Sequence, residues 1–263
     1  MKIPAIERLR RKFKAKEPLY GLWCTFEAPS ITEIATTLGL DWVCVDMEHG
    51  HLDWREVIEH VRAVRGSETA VFVRVPELQQ SAVKRALDIG AHGVLLPLIH
   101  SRAELELGMR YGRYPVKGLR GVGGERAVKW GLAFREYLEA ADSQTLIIPL
   151  IETREAIENI DDLLAVPGLE MIFFGPADLS ASYGHLGQWE GPGIAEKILK
   201  VRERAAERGI GSGVMSVDPV DASKRREQGF NLIGLGSDAG MVIRSINGAF
   251  KALGVEPSAH IWF

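Results

Sequence analysis

Eight short runs rich in β-branched and aromatic residues alternate with stretches of helical periodicity, and this rhythm limits the fold more than any other feature of the chain. The runs are Tyr20 to Cys24, Trp42 to Asp46, Ala70 to Arg74, Gly93 to Pro97, Thr145 to Ile151, Glu170 to Phe174, Gly211 to Met215 and Asn231 to Leu235, and each reads as a buried strand. Between them, apolar residues return every three or four positions over Ile31 to Leu38, Trp54 to Val64, Ala82 to Ile89, Ala103 to Tyr111, Ala156 to Leu164, Ile194 to Arg208 and Pro219 to Gln228, as in amphipathic helices. Gly39, Gly66, Gly90, Gly209 and Gly229 follow five of these segments, where a left-handed residue closes a helix at little cost.

Strand starts run from residue 20 to residue 231, an average of about 30 residues, which is one βα unit. Eight such units predict an α/β fold, a single-domain (β/α)8 TIM barrel over residues 1–263. A doubly wound open sheet has the same alternation. Its dinucleotide-binding form, however, places glycines in the first βα turn, and that turn reads Thr25-Phe26-Glu27-Ala28-Pro29-Ser30. The stretch Gly121-Val122-Gly123-Gly124 does not directly follow a strong strand and is a weak phosphate fingerprint. Ile3, Ile6, Leu9 and Phe13 predict an amphipathic helix over about residues 3–14. The segment at about 112–135, inside the long interval between the fourth and fifth strands, reads as an inserted active-site loop.

A net charge of -3 gives no global positive field for nucleic acid. The longest apolar runs, such as Leu146 to Ile151, fall far below the ~20 residues of a membrane span. No apolar core follows the basic residues of the amino terminus, so no secretory leader is expected. Cys24 and Cys44 sit in apolar runs without CxxC spacing and read as buried hydrophobes of a cytoplasmic protein.

In a barrel, chemistry gathers where strands end. Here those positions carry Asp46-Met47-Glu48-His49-Gly50-His51, Arg74, Glu152-Thr153 and Gly175-Pro176-Ala177-Asp178-Leu179-Ser180. Glu152 and Asp178, beyond neighbouring strands, offer two hard carboxylates to a divalent cation, Mg²⁺ or Mn²⁺ before Zn²⁺, with Co²⁺ also compatible. Either carboxylate alone would equally suit a helix N-terminus. His49 among acids suits a general base, and His51 a structural role. Arg74, ending a buried strand, needs an anionic ligand or a salt bridge to Glu48 or Asp46. No strand segment contains a lysine, which argues against a Schiff-base enzyme. No G-x-S-x-G motif occurs to support a serine triad.

The combination Asp46-Met47-Glu48-His49-Gly50, Val73-Arg74-Val75-Pro76, Leu87-Asp88-Ile89-Gly90-Ala91, Arg120-Gly121-Val122-Gly123, Ile151-Glu152-Thr153 and Gly175-Pro176-Ala177-Asp178-Leu179-Ser180 resembles the HpcH/HpaI aldolase family over nearly the whole chain. The resemblance implies a metal-dependent class II pyruvate aldolase on a (β/α)8 barrel, a carbon–carbon lyase joining or releasing a 2-oxo acid and an aldehyde. It makes Glu152 and Asp178 the metal ligands, His49 the base, Asp46 its dyad partner and Arg74 the residue that stabilises the enolate. Gly175, Pro176 and Ala177 would contact substrate, Ala177 through its backbone to the carboxylate. Asp88 would raise the basicity of the histidine, by a route that crosses a subunit interface, and the family suggests a homohexamer. The apolar Ile261-Trp262-Phe263 would then be buried against another subunit. Many relatives carry Gln two residues before the metal-binding Glu, where this chain has Leu150, which puts donor and acceptor preference in question.

Two other readings compete. One is metal-assisted C–C chemistry on oxaloacetate or a CoA ester. The other is a non-catalytic barrel binding phosphate at Gly234-Leu235-Gly236-Ser237-Asp238-Ala239-Gly240, where Asp238 would repel the anion.

Overall fold

Eight parallel strands close on themselves in sequence order: β1 (Leu19–Cys24), β2 (Trp42–Asp46), β3 (Ala70–Arg74), β4 (Gly93–Leu96), β5 (Leu146–Ile151), β6 (Met171–Phe174), β7 (Gly211–Met215) and β8 (Leu232–Ser237). This computed structural model describes residues 2–188 and 190–256, so Ile261-Trp262-Phe263 lies outside the described residues. The helices are α1 (Pro4–Lys14), α2 (Pro29–Thr37), α3 (Trp54–Ala63), α4 (Gln80–Asp88), α5 (Arg102–Gly112), α6 (Phe134–Gln144), α7 (Arg154–Glu158), α8 (Ile160–Leu164), α9 (Pro176–Ser182), α10 (Ile194–Glu207), α11 (Pro219–Glu227) and α12 (Asp238–Ala252). The result is the expected (β/α)8 barrel in one domain. Gly39, Gly66, Gly90, Gly209 and Gly229 all take left-handed φ values, between 72° and 101°.

Three helices exceed the sequence reading. At α12 the run Gly234 to Gly240 looks like a loop, yet the Ser237 hydroxyl accepts the Gly240 N–H at 3.0 Å and starts a helix directly from β8. In α9, Pro176 occupies the first turn, where its missing N–H costs nothing. The third, α6, follows the long insertion closely enough to be read as part of it. The expected helix from Ala156 to Leu164 is two short helices that meet at Asn159.

Side chains alternate between two layers. Val43, Val45, Val71, Val73, Ile147 and Ile172 point outward into the layer beneath the helices. Trp42, Cys44, Phe72, Ile148 and Phe173 fill the barrel interior. The interior fits because small residues face large ones. A Cβ on Gly21 would lie 2.0 Å from the Trp42 ring, and one on Gly213 would lie 2.3 Å from Phe173. Full burial of each such aromatic side chain contributes about 1.5–3 kcal/mol.

The amino end of the barrel is plugged by α1, whose fully buried Ile6 and Leu9 join the interior cluster with Leu19 and Leu146. Three of its basic side chains are paired within the chain: Arg10 makes two 2.8 Å bonds to Glu170, and Asp41 takes Arg8 at 2.9 Å and Lys12 at 2.7 Å.

The insertion at 113–133 also lies at this end. Arg120 bonds the Asp88 carboxylate at 2.8 Å, and Arg126 bonds the Ile89 carbonyl at 2.9 Å, so the segment covers the carboxyl end of α4. Within one chain it is not an active-site loop, because α5 carries the backbone from the mouth to the opposite end before the insertion begins.

Candidate active site

A cavity of about 600 Å³ opens at the carboxyl ends of the strands. Asp46, His49, Arg74, Leu150, Glu152, Gly175, Pro176, Ala177 and Asp178 all line it, so nine of the residues singled out in the sequence converge on one mouth. Asp88 does not. It lies at the amino end with Arg120, whose guanidinium is fully buried and also reaches the Tyr137 hydroxyl at 3.3 Å.

Arg74 is held as a planar fork. Its Nε and Nη2 donate to Asp46 at 2.8 and 2.5 Å, and its Nη1 lies 2.9 Å from Glu48. Both sequence-level salt-bridge partners are therefore present together. The guanidinium also stacks 5.0 Å from the centroid of Trp23, whose indole N–H donates to Asp46 at 3.1 Å. Burial works to raise the Asp46 pKa, but the Arg74 fork and the indole N–H outweigh it and hold the carboxyl below its ordinary value.

Among the described residues Asp46 makes no hydrogen bond to an imidazole ring. Its remaining contacts are the backbone N–H groups of Glu48 at 3.1 Å and His49 at 3.3 Å. It shapes the turn that carries His49 through these backbone N–H groups. The carboxylate is saturated: five donors already share it, and His49 stands exposed at the rim.

Glu152 hangs from a strained backbone. Leu98, with a left-handed φ of 51°, aims its N–H at the Glu152 carboxylate at 2.7 Å. The other carboxylate oxygen lies against Gly175, where a Cβ would stand 2.3 Å away. Glu152 does not cap the next helix, because Thr153 does so through the Ala156 N–H at 3.1 Å. Asp178 sits in the first turn of α9, and its carboxylate makes no hydrogen bond or ion pair among the described residues.

This donor set fits a divalent cation. Burial pushes Glu152 up to about 7, against the Leu98 N–H, and the Glu48 and Asp178 carboxylates add to the rise. A buried Glu48 oxygen is close to Arg74 but out of line for a hydrogen bond and has no other partner. Carboxylates crowded without enough positive charge are the condition that a bound cation relieves. Among the described residues no three His, Cys, Asp or Glu side chains form a closed metal cage, so Glu152 and Asp178 would leave coordination positions open for substrate and water.

The cavity includes residues that the sequence did not flag as functional. Trp23, Phe26, Phe173, Met215 and Val217 form apolar wall, and His51 joins the rim. Cys24 and Cys44 are free and buried as expected, and burial pushes the Cys24 thiol up to about 12. At the supposed phosphate loop, the Asp238 carboxylate and Ser237 hydroxyl already take the N–H groups of Ala239 at 2.8 Å and Gly240 at 3.0 Å.

A closed barrel with ionisable groups gathered at its carboxyl mouth is the architecture of a barrel enzyme. The chain belongs to the HpcH/HpaI aldolase/citrate lyase family, whose sequence profile matches residues 19–245. It is 32% identical to a hydroxypyruvate/pyruvate aldolase of Paraburkholderia phytofirmans over 92% of this chain and 96% of that protein. It is 34% identical to the 5-keto-4-deoxy-D-glucarate aldolase of Escherichia coli over 88% of this chain and 91% of the relative. The crystal structure of a family member from Burkholderia cenocepacia superposes with a TM-score of 0.88 at 33% identity, covering 94% of this chain and 99% of the other. Among the described residues no helix is long and apolar enough to cross a membrane.

Proposed function

We propose that this chain is a class II pyruvate aldolase, cleaving 4-hydroxy-2-oxo acids to pyruvate and an aldehyde and running the addition in reverse. The observation that carries the reading is the convergence of Glu152, Asp178, Arg74 and His49 on one cavity, with no lysine among the described residues that line it. A Schiff base would need that lysine.

A divalent cation held by Glu152 and Asp178, Mg²⁺ or Mn²⁺ before Co²⁺, would supply Lewis acidity toward the 2-oxo acid. Arg74 stabilises the enolate oxygen with a permanent charge whose orientation is set by Asp46 and the Trp23 ring. In cleavage His49 takes the proton of the C4 hydroxyl, the C3–C4 bond breaks, its electron pair becomes the enolate, and C3 of the enolate then takes up a proton to give pyruvate. In addition the sequence reverses: pyruvate C3 gives up that proton, the enolate C3 attacks the aldehyde carbon, and the resulting alkoxide takes a proton from His49. Gly175 and Pro176 shape the carboxylate subsite, and the Ala177 N–H in the first turn of α9 faces the substrate carboxylate.

A role for Asp88 requires the mouth of a neighbouring subunit, since in its own chain it lies at the far end of the barrel. A homohexamer, as the family resemblance implies, would provide one. Exposed apolar residues on α12, among them Val242, Ile246 and Phe250, are further support for association.

Proton exchange at C3 of pyruvate in deuterated water, with and without divalent metal, tests the donor half of the reaction. Metal-dependent exchange is expected. Exchange that proceeds in metal-free protein would remove the reading.

A further inference from the structure

The turn from β8 into α12 carries a buried acid that the reaction does not use. Asp238, 2% exposed, stands behind the cavity wall between Ser237 and Ala239, which line it. Neutral donors surround its carboxylate. The Ala239 N–H donates at 2.8 Å, the Thr25 N–H reaches both oxygens at 3.0 Å, the Thr25 hydroxyl donates at 2.7 Å and the Phe26 N–H at 2.9 Å. Three of these four donors belong to the β1–α2 turn at the other end of the chain, and a buried carboxylate requires such donors to stay ionised.

That turn stands at the mouth, where Thr25 and Phe26 line the cavity. Two further elements grip it. The Phe26 carbonyl lies 3.2 Å from His60 Nε2 on α3. A carbonyl only accepts, so Nε2 carries the proton of the neutral ring and Nδ1 accepts from the Thr32 hydroxyl at 2.7 Å. The Thr25 carbonyl accepts the His51 N–H at 3.1 Å. All four backbone N–H and C=O groups of Thr25 and Phe26 are thereby engaged.

The bond from His51 reaches the turn that carries His49. Asp46 holds the start of this turn by accepting the His49 N–H at 3.3 Å, and the Thr25 carbonyl holds its end. Gly50 lies close to both anchors: a Cβ there would stand 2.2 Å from the Asp46 carbonyl oxygen and 3.2 Å from that of Thr25. A displaced Thr25 would therefore displace the backbone beside His49.

On the aldolase reading above, in which His49 is the base, we propose that Asp238 is a positioning residue for His49: its buried carboxylate fixes the Thr25–Phe26 turn, and that turn fixes the end of the His49–His51 turn. A carboxylate suits the task because it accepts from every donor that converges on it. Asparagine of the same size would present its own N–H groups to at least one of them.

The test is a double-mutant cycle in the full chain loaded with Mn²⁺. Its substrate is whichever is cleaved fastest of the 4-hydroxy-2-oxo acids formed from pyruvate with acetaldehyde, glycolaldehyde or succinic semialdehyde. Asp238→Asn should lower kcat by about tenfold or more, the scale of a reacting group held slightly out of place, with KM and Mn²⁺ affinity changed by less than about threefold. Made in His49→Ala, the same substitution should lower kcat by less than about twofold, since its effect passes through the missing imidazole. An equal loss in both backgrounds, or none in either, overturns the inference. Thr25→Val, which removes one donor, should lower kcat in the same non-additive way, and Thr25→Ser should restore it; no difference between these two variants counts equally against the clamp. Amide hydrogen exchange followed by mass spectrometry gives a readout apart from turnover. In Asp238→Asn it should quicken over residues 47–53 as well as 25–28, and quickening confined to 25–28 overturns the relay. Pyruvate C3 exchange in the unsubstituted chain separates the two claims. Exchange and cleavage with an additive cycle remove this inference alone, whereas a chain that neither exchanges nor cleaves removes the aldolase reading and the inference with it.

Discussion

Glu152 occupies the space that a side chain on Gly175 would fill: a Cβ there would stand 2.3 Å from one carboxylate oxygen and 2.9 Å from the Glu152 Cβ. The glycine after β6 therefore sets the position of the carboxylate after β5. Gly175→Ala should swing Glu152 off the Leu98 N–H and lower pyruvate exchange by roughly 10²-fold, since a 1 Å misplacement at a reacting centre has effects of that size. Titration of Mn²⁺ by electron paramagnetic resonance should show weaker binding in the same variant. Unaltered Mn²⁺ affinity would mean that Glu152 is not a ligand.

Chelation gives a second test of the carboxylate pair. Activity should vanish with EDTA and return with Mg²⁺, Mn²⁺ or Co²⁺, and Glu152→Gln and Asp178→Asn should each prevent the return. Full turnover in either variant would show that the residue concerned has another role. Borohydride with pyruvate should leave no adduct by mass spectrometry, because no lysine lies among the described cavity residues.

Arg74 holds a two-bond fork to Asp46 and stacks on Trp23, and a lysine can reproduce neither contact. Arg74→Lys should therefore depress kcat by about 10²-fold while KM for pyruvate changes less, the pattern of an interaction made in the transition state. A raised KM with intact kcat would assign Arg74 to substrate positioning.

Two imidazoles, the buried His60 and the half-buried His92, tie stability to pH. His92 accepts the Val71 N–H at 3.1 Å on Nδ1, and burial pushes its pKa from 6.5 down to about 4. His60, lodged between the Thr32 hydroxyl at 2.7 Å and the Phe26 carbonyl at 3.2 Å, is lowered by burial as well. Between about 4 and 6.5 the unfolded chain binds protons that folded His92 refuses. Stability from His92 is then complete above the higher value and is lost as pH falls through this window. Denaturant unfolding at pH 7.5 and pH 5 should differ by on the order of 2 kcal/mol from His92. His92→Gln keeps an acceptor without a titrating group, and it should flatten that dependence.

The barrel was legible because strands buried on both faces read as apolar runs, and the polar residues that end them, Asp46, Arg74, Glu152 and Asp178, mark one rim whatever the details of packing. What holds those residues was not legible. Leu98 looks like any loop leucine, and its grip on Glu152 depends on a backbone conformation set by the turn after β4. Gly175 reads as one more glycine until the carboxylate beside it is placed. The apolar wall of the cavity, with Trp23 on β1, Phe173 on β6 and Met215 on β7, is divided among distant strands and acquires meaning only on closure. The insertion at 113–133 carries a Gly-rich sequence suggestive of a mouth loop. Its true location follows from the direction of α5, which the sequence pattern alone does not give.

Leu150 offers a direct test of the departure that the family resemblance implies at this position. It is 2% exposed, lies opposite Phe173 in the β5–β6 ladder and lines the cavity two residues before Glu152. Where the family resemblance implies an amide facing the keto acid, an apolar Leu150 would discriminate by shape. Pyruvate should bind weakly for the family, and a longer donor such as 2-oxobutyrate should be tolerated. Leu150→Gln would place an amide in the cavity with substrate as its natural partner. One neutral hydrogen bond contributes about 0.5–1.5 kcal/mol, so KM for pyruvate should fall roughly two- to tenfold. The ratio of kcat/KM for 2-oxobutyrate to that for pyruvate should fall with it. If both donors respond equally, or neither does, Leu150 does not reach the donor.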